Sequence, residues 1–165
     1  GRIRGTGLRY LPVPTQGNQS SSPEEADYVR DLVNEIFESG STWIDNKGQE
    51  RVITLEDILI IAPYNAQVFE IRDRIPGGRI GTVDKFQGQE APIVIYSMTT
   101  SSYADAPRGM EFLYSLNRLN VATSRAKCLC VLIASPSVFE AQCRTPRQMQ
   151  LANAFCRYLE LASPI

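Results

Sequence analysis

Ile58–Ala62 reads ILIIA, Ile93–Met98 reads IVIYSM and Leu129–Ala134 reads LCVLIA. The three runs are short, rich in β-branched residues, and continuous rather than alternating. A strand with one wet face alternates polar and apolar positions, whereas a strand covered on both faces does not. The runs therefore predict the buried strands of a parallel sheet. Leu8–Val13 and the short Arg79–Val83 supply two more. Amphipathic segments fill the intervals. Ser22 and Glu25 have capping-box spacing and open a helix that sets Ala26, Val29, Val33 and Ile36 on one face. Ala66–Ile75 turns Val68, Ile71 and Ile75 inward and stops at Pro76-Gly77-Gly78. A third helix is expected over Leu116–Thr123. A last one runs from a cap at Thr145, with Pro146 first and Gln148 as box partner, to about Leu161. Strands alternating with helices in this order make an α/β fold, a three-layer sandwich about a mostly parallel sheet.

Two segments lie outside that plan. Thr42–Thr54 reads as an exposed hairpin turning at Asn46-Lys47-Gly48, and Ser101–Phe112 as a long aperiodic loop. A length of 165 residues fits one domain, residues 1–165, and 43% hydrophobic residues exclude a disordered chain. No apolar run approaches the ~20 residues of a membrane-spanning helix. The first residue is Gly1 rather than Met, as expected of a trimmed chain or a processed start. Cys128, Cys130, Cys143 and Cys156 follow no zinc-ligand spacing and read as reduced thiols of a cytoplasmic protein, with no metal site expected. With no histidine present, the usual general base at neutral pH is missing. Chemistry here must use carboxylates, arginines and backbone amides.

The net charge of −1 hides a gradient: six basic against eleven acidic residues over 1–71, then eight against five over 72–127. Arginine outnumbers lysine 14 to 3, which suits planar, bidentate contact with phosphate or carboxylate, although on composition alone ordinary surface ion pairing is the better account.

Ligands of open α/β sheets gather at the carboxyl ends of the strands. Pro63–Gln67, Thr82–Glu90 and Thr99–Ser101 follow three of the expected strands and are candidates for that edge. Gly88 would let backbone approach an anion, and Glu90 is suited to accept from a sugar hydroxyl. No G-x-x-x-x-G-K-S/T phosphate loop exists in the sequence, so this chain alone is not expected to hydrolyse a nucleoside triphosphate. Arg125, between Ser124 and Ala126, reads either as a helix-terminal cation or as an arginine finger that completes another domain's site.

Ile60–Gln67 (IIAPYNAQ), Gly81–Glu90 (GTVDKFQGQE) and Leu116–Lys127 (LNRLNVATSRAK) resemble, in order and spacing, motifs IV, V and VI of superfamily 1 helicases. The resemblance covers about Leu8 to Leu161. It is greatest to the branch with the nonsense-mediated-decay RNA helicase and the Okazaki-fragment nuclease-helicase, and Glu25-Ala26 fits that branch too. It implies the second RecA-like motor domain, a P-loop NTPase fold without its own phosphate loop. The first motor domain, upstream, would hold most of the ATP and Mg. The resemblance assigns the arginine finger to Arg125 and nucleotide contacts to Gln87, Gly88 and Glu90. A single strand, of DNA or RNA with DNA the favoured of the two, would meet Tyr64, Asn65, Thr82, Thr99 and Thr100. Arg118 would support motif VI. It implies 5′ to 3′ movement, and the Ala104–Phe112 loop also resembles bacterial fusions of such a motor to a RecB-like nuclease. One departure stands out: relatives carry an arginine where Val68 stands, and Arg72 or Arg74 are the candidates to replace it. The alternative is a RecA-like docking module without motor activity.

Overall fold

The computed structural model describes residues 5–86, 88–113, 123–140 and 145–164. Its main sheet is built from β1 (Gly7–Pro12), β4 (Ile58–Ile61), β5 (Arg79–Gly81), β6 (Ala91–Ser97), β7 (Ala126–Ala134) and a two-residue β8 (Ser163–Pro164). The order across it is β5-β4-β6-β7-β1-β8, and every pairing is parallel. A separate antiparallel pair, β2 (Thr42–Ile44) with β3 (Glu50–Val52), is the expected hairpin.

The continuous apolar runs are explained by burial on both faces. Every residue of β4 and β6 is buried. Successive β4 residues feed opposite cores: Ile58 and Ile60 face one way, Leu59 and Ile61 the other. The first core takes Ala26, Val29, Leu32, Val33 and Ile36 from α1 (Pro23–Glu38), and Val68 and Ile71 from α2 (Asn65–Arg74). The second takes Leu151 and Tyr158 from α4 (Pro146–Leu161), and Leu113 from a short α3 (Gly109–Leu113). Helices on both faces of a parallel sheet make the three-layer α/β sandwich that the sequence predicts. Each fully buried Ile or Leu contributes roughly 1.5–3 kcal/mol of burial free energy, which makes the central strands the stable part of the fold.

Local chemistry sets the helix ends. The Thr145 hydroxyl accepts from the Gln148 N–H at 3.1 Å, with Pro146 at the first helical position. Thr145→Ala should cost about 1 kcal/mol, read as a lower urea midpoint with an unchanged denaturant slope. At α1 the Ser22 hydroxyl accepts from the Glu25 N–H at 3.2 Å. The capping box expected there is only half formed, because the Glu25 side chain turns into the core instead of back to the cap.

Two further expectations are corrected. β5 stops at Gly81, two residues short of the expected strand, as the chain turns into a 3-10 helix over Val83–Phe86. The loop expected over Ser101–Phe112 contains a 3-10 turn at Tyr103–Asp105 and the start of α3. The edge strand β8 is too short to be legible as a strand. The helix expected over Leu116–Thr123 lies almost wholly outside the described residues, as do Gln87, Arg118 and Cys143.

Candidate functional site

The parallel sheet has two polar edges, and the candidate residues divide between them. Ala91 of β6 pairs with Ala126 of β7, so Glu90 and Arg125 enter adjacent strands side by side at the amino edge. Residues 123–125 are helical and end directly on β7. Glu90 is exposed and Arg125 is half-buried, and no ion pair joins them. Arg125 Nε is buried and has no hydrogen-bond partner among the described residues. A buried guanidinium nitrogen left this way is unusual and calls for a partner. Glu90 also borders an open cleft of about 480 Å³ with Trp43, Glu56, Asp57, Arg79 and Lys127. The Lys127 ammonium lies 5.9 Å from the centre of the Trp43 ring.

Gly88 adopts φ +78, and a Cβ added to it would meet nothing within 4 Å. Its left-handed backbone, not crowding, is what favours glycine there. The expectation that all of Thr82–Glu90 lies on the carboxyl edge is corrected. β5 lies beyond β4, so the segment starts at the carboxyl end of β5 and crosses β4 to reach the start of β6. Thr82 stays at the carboxyl edge and Glu90 arrives at the opposite one. The hydrogen bond from Arg79 Nη2 to Gln89 Oε1, at 2.6 Å, fastens the end of the crossing.

At the carboxyl edge, Tyr64, Asn65 and Thr82 line a cleft of about 360 Å³ together with Ser20, Arg108 and Phe112. Tyr64 is mostly buried, Asn65 exposed and Thr82 intermediate. The Tyr64 hydroxyl donates to the Pro107 carbonyl at 3.1 Å, and its ring centre lies 5.5 Å from that of Phe112. Sequence reasoning did not single out Arg108 or Phe112, because an aperiodic loop carries no signal for where its side chains return.

Thr99 and Thr100 are placed differently from expectation. Both are fully buried. The Thr99 N–H donates to Glu25 Oε1 at 3.0 Å, and the Thr100 hydroxyl to the Gln19 carbonyl at 2.8 Å. The Asn18 carbonyl accepts from the Ser101 N–H at 3.0 Å, so residues 15–22 strap over this part of the edge. The two threonine side chains are committed inward and are not part of an accessible surface. Beneath the strap lies a buried polar network. Ser97 donates to Glu25 Oε1 at 2.8 Å, and Gln67 Nε2 donates to the Ser97 hydroxyl at 3.2 Å and to the Ser22 carbonyl at 3.1 Å. Gln67 Oε1 in turn accepts from the Ser22 N–H at 2.7 Å. Glu25 Oε2 is buried without a partner among the described residues, and burial pushes the Glu25 carboxyl up to about 8. The motif IV glutamine therefore clasps the start of α1 rather than a ligand.

Val68 is buried, and neither proposed replacement for the missing arginine is free. Arg74 is tied to Asp27 at 2.7 Å and Glu70 at 2.8 Å, and Arg72 donates to the Ile80 carbonyl at 3.0 Å. Among the described residues, no three His, Cys, Asp or Glu side chains gather closely enough to hold a metal ion. Cys128, Cys130 and Cys156 are free thiols, and burial raises that of Cys130 to about 11. No described helix is long and apolar enough to cross a membrane.

A family model described as "AAA domain" matches residues 12–137, most of the chain. The DNA replication ATP-dependent helicase/nuclease JHS1 of Arabidopsis thaliana is 30% identical over 138 residues, 82% of this chain and 9% of that protein. DNA polymerase alpha-associated DNA helicase A of Schizosaccharomyces pombe is 39% identical over 94 residues, 54% of this chain and 14% of that protein. RNA helicase Mov10l1 of Homo sapiens is 33% identical over 94 residues, 52% of this chain and 8% of that protein. The chain thus spans a small part of each relative's length. It belongs to the AAA-domain family, as a superfamily 1 helicase-type domain.

Proposed function

We propose that this chain is the second motor domain of a cytoplasmic, ATP-dependent helicase and works as half of a composite site. The amino edge faces a nucleotide held mainly by a first motor domain, and the carboxyl-edge cleft faces a single strand, DNA rather than RNA. One observation carries the reading: the Ala91–Ala126 register sets Glu90 and Arg125 side by side on one edge, while Tyr64, Asn65 and Thr82 share a cleft on the other. A motor needs its fuel site and its track on separate faces of one rigid element, so that a change at one is felt at the other.

The donor set supports only part of a nucleotide site. Glu90 can accept from a sugar hydroxyl, the exposed backbone at Gly88 can approach a phosphate, and Arg125 can lay its fork against an outer phosphate. In this reading the acidic groups that hold Mg²⁺ belong to the first domain. ATP supplies the transferable phosphoryl group and the energy of the cycle. This chain's part is to bring a fixed positive charge to the closed interface and to withdraw it on opening. Tyr64, Asn65 and Thr82 hold the strand while the interface cycles. A nuclease fused to the same protein, as in the name of the Arabidopsis relative, would lie outside residues 1–165.

The test is an ATPase comparison. The full-length protein should turn over ATP faster when single-stranded DNA is added, and residues 1–165 alone should show no turnover above background. Robust turnover by the isolated chain would overturn the half-site reading.

A further inference from the structure

The loop leading into α3 holds a cation whose guanidinium makes no hydrogen bond among the described residues. Arg108 is exposed, and its guanidinium carbon lies 4.1 Å from the centre of the Phe112 ring. No hydrogen bond or ion pair engages that guanidinium among the described residues. Other arginines of the chain are committed: Arg30 to Asp31, Arg51 to Asp45, Arg72 to Ile80, Arg74 to Asp27 and Arg79 to Glu56.

The loop also bears a conformational cost to present it. Arg108 has φ 63 and is followed by Gly109 at φ 84. A residue with a Cβ is disfavoured in this left-handed region, where glycine would be at ease. Tyr64 holds the loop one residue earlier through its hydroxyl bond to Pro107, and its ring packs beside Phe112. The ring beneath the guanidinium is therefore itself packed against Tyr64, at the cleft that also holds Asn65 and Thr82.

We propose that Arg108 is a backbone-phosphate clamp for the single strand, presented by Phe112. The inference rests on the single-strand reading of this cleft. Arg108 is the one cation and Asp84 the one anion among the described residues lining it, so a phosphate would seat on the Arg108 side, and Ser20, Asn65 and Thr82 add neutral polar groups of the kind that contact phosphate. A planar fork already resting on a ring can take two phosphate oxygens with less further loss of freedom than a free one. A base stacked on Phe112 would first have to displace the guanidinium, which favours phosphate over base as the contact.

The experiment follows binding of a labelled single-stranded oligothymidylate to the full-length protein by fluorescence anisotropy across a salt series. Arg108→Ala should weaken binding about tenfold. It should also flatten the slope of log affinity against log salt by about 0.7, the loss of one phosphate contact. Arg108→Gly, which removes the side chain and relieves the backbone together, should lose the same affinity with thermal stability unchanged or higher. Phe112→Leu keeps the charge but frees it, and should weaken binding less while retaining the slope. Wild-type affinity in both Arg108 variants, or weaker binding with an unchanged slope, would overturn the clamp. Failure of the wild-type protein to bind any strand would instead overturn the parent reading.

Discussion

Arg125→Ala in the full-length protein should cut ATP turnover on the order of 10³-fold while nucleotide affinity largely survives. The expected split follows from when the charge is needed. An arginine finger meets little extra charge in the ground state and much more as the phosphoryl group moves between attacking and leaving oxygens, so its loss raises the barrier more than it weakens binding. Arg125 is suited to this by position, at the entry to a β7 that is buried over Leu129–Ala134 and paired on both sides. A rigid mount keeps the fork in register without reorganisation at the moment of reaction. Its buried, unpartnered Nε marks a side chain not satisfied within the described residues. Arg125→Lys should rescue poorly, because an ammonium cannot reproduce a planar two-pronged contact. Single-turnover ATPase together with nucleotide-binding titrations separates the two effects. Near-normal turnover in Arg125→Ala would remove the finger role, and a proportional loss of affinity and turnover would make Arg125 an ordinary binding group.

The sheet was legible because parallel strands buried on both faces leave an unbroken apolar signature, as in ILIIA over Ile58–Ala62 and the fully buried β6. The helix faces were legible for the same reason, since Val29, Val33 and Ile36 repeat at the helical period. The geometry of the site was less so. The split of Thr82–Glu90 between two edges depends on β5 pairing outside β4, a neighbour relation with no local trace in the sequence. Pro107 and Phe112 meet Tyr64, and Arg108 meets Phe112, only because an irregular loop folds back over the end of β4. Thr99 and Thr100 had the residue type of a strand contact, and only the strap at residues 15–22 reveals that they point inward. Glu25 was the instructive miss. Spacing from Ser22 made it a capping-box acid, and the acid was drawn instead to the Thr99 N–H and the Ser97 hydroxyl, which local spacing cannot encode.

Glu25 also makes the fold sensitive to pH in a direction opposite to that of most carboxylates. Burial is the largest influence and raises its carboxyl to about 8, opposed by the bonds from Thr99 and Ser97, with Glu24 nearby adding a further upward push. The neighbouring Tyr10 hydroxyl is raised to about 12, by its own burial first and by Glu25 second, so it stays neutral throughout this window. A folded value above the unfolded one means that the native state holds its proton longer than the unfolded chain does. The stabilisation is therefore fully present below the ordinary glutamate range of about 4.5, declines as pH rises, and is gone above about 8. At ~1.4 kcal/mol per pH unit the loss over that span is on the order of several kcal/mol, a large part of the stability of a domain this size. Urea unfolding at pH 5 and pH 8 should show the midpoint falling in the wild-type chain. Glu25→Gln keeps an oxygen to accept from Thr99 and Ser97 but cannot ionise, so its midpoint should change much less, and it should be the more stable of the two at pH 8. Parallel pH dependence in the two proteins would refute a buried, proton-holding Glu25. The same oxygen anchors Thr99, whose φ of 74 a threonine holds only under constraint. Ionising Glu25 would strengthen its bonds from Thr99 and Ser97, so the loss at high pH comes from burying the charge and is read in global stability rather than in the turn at the end of β6.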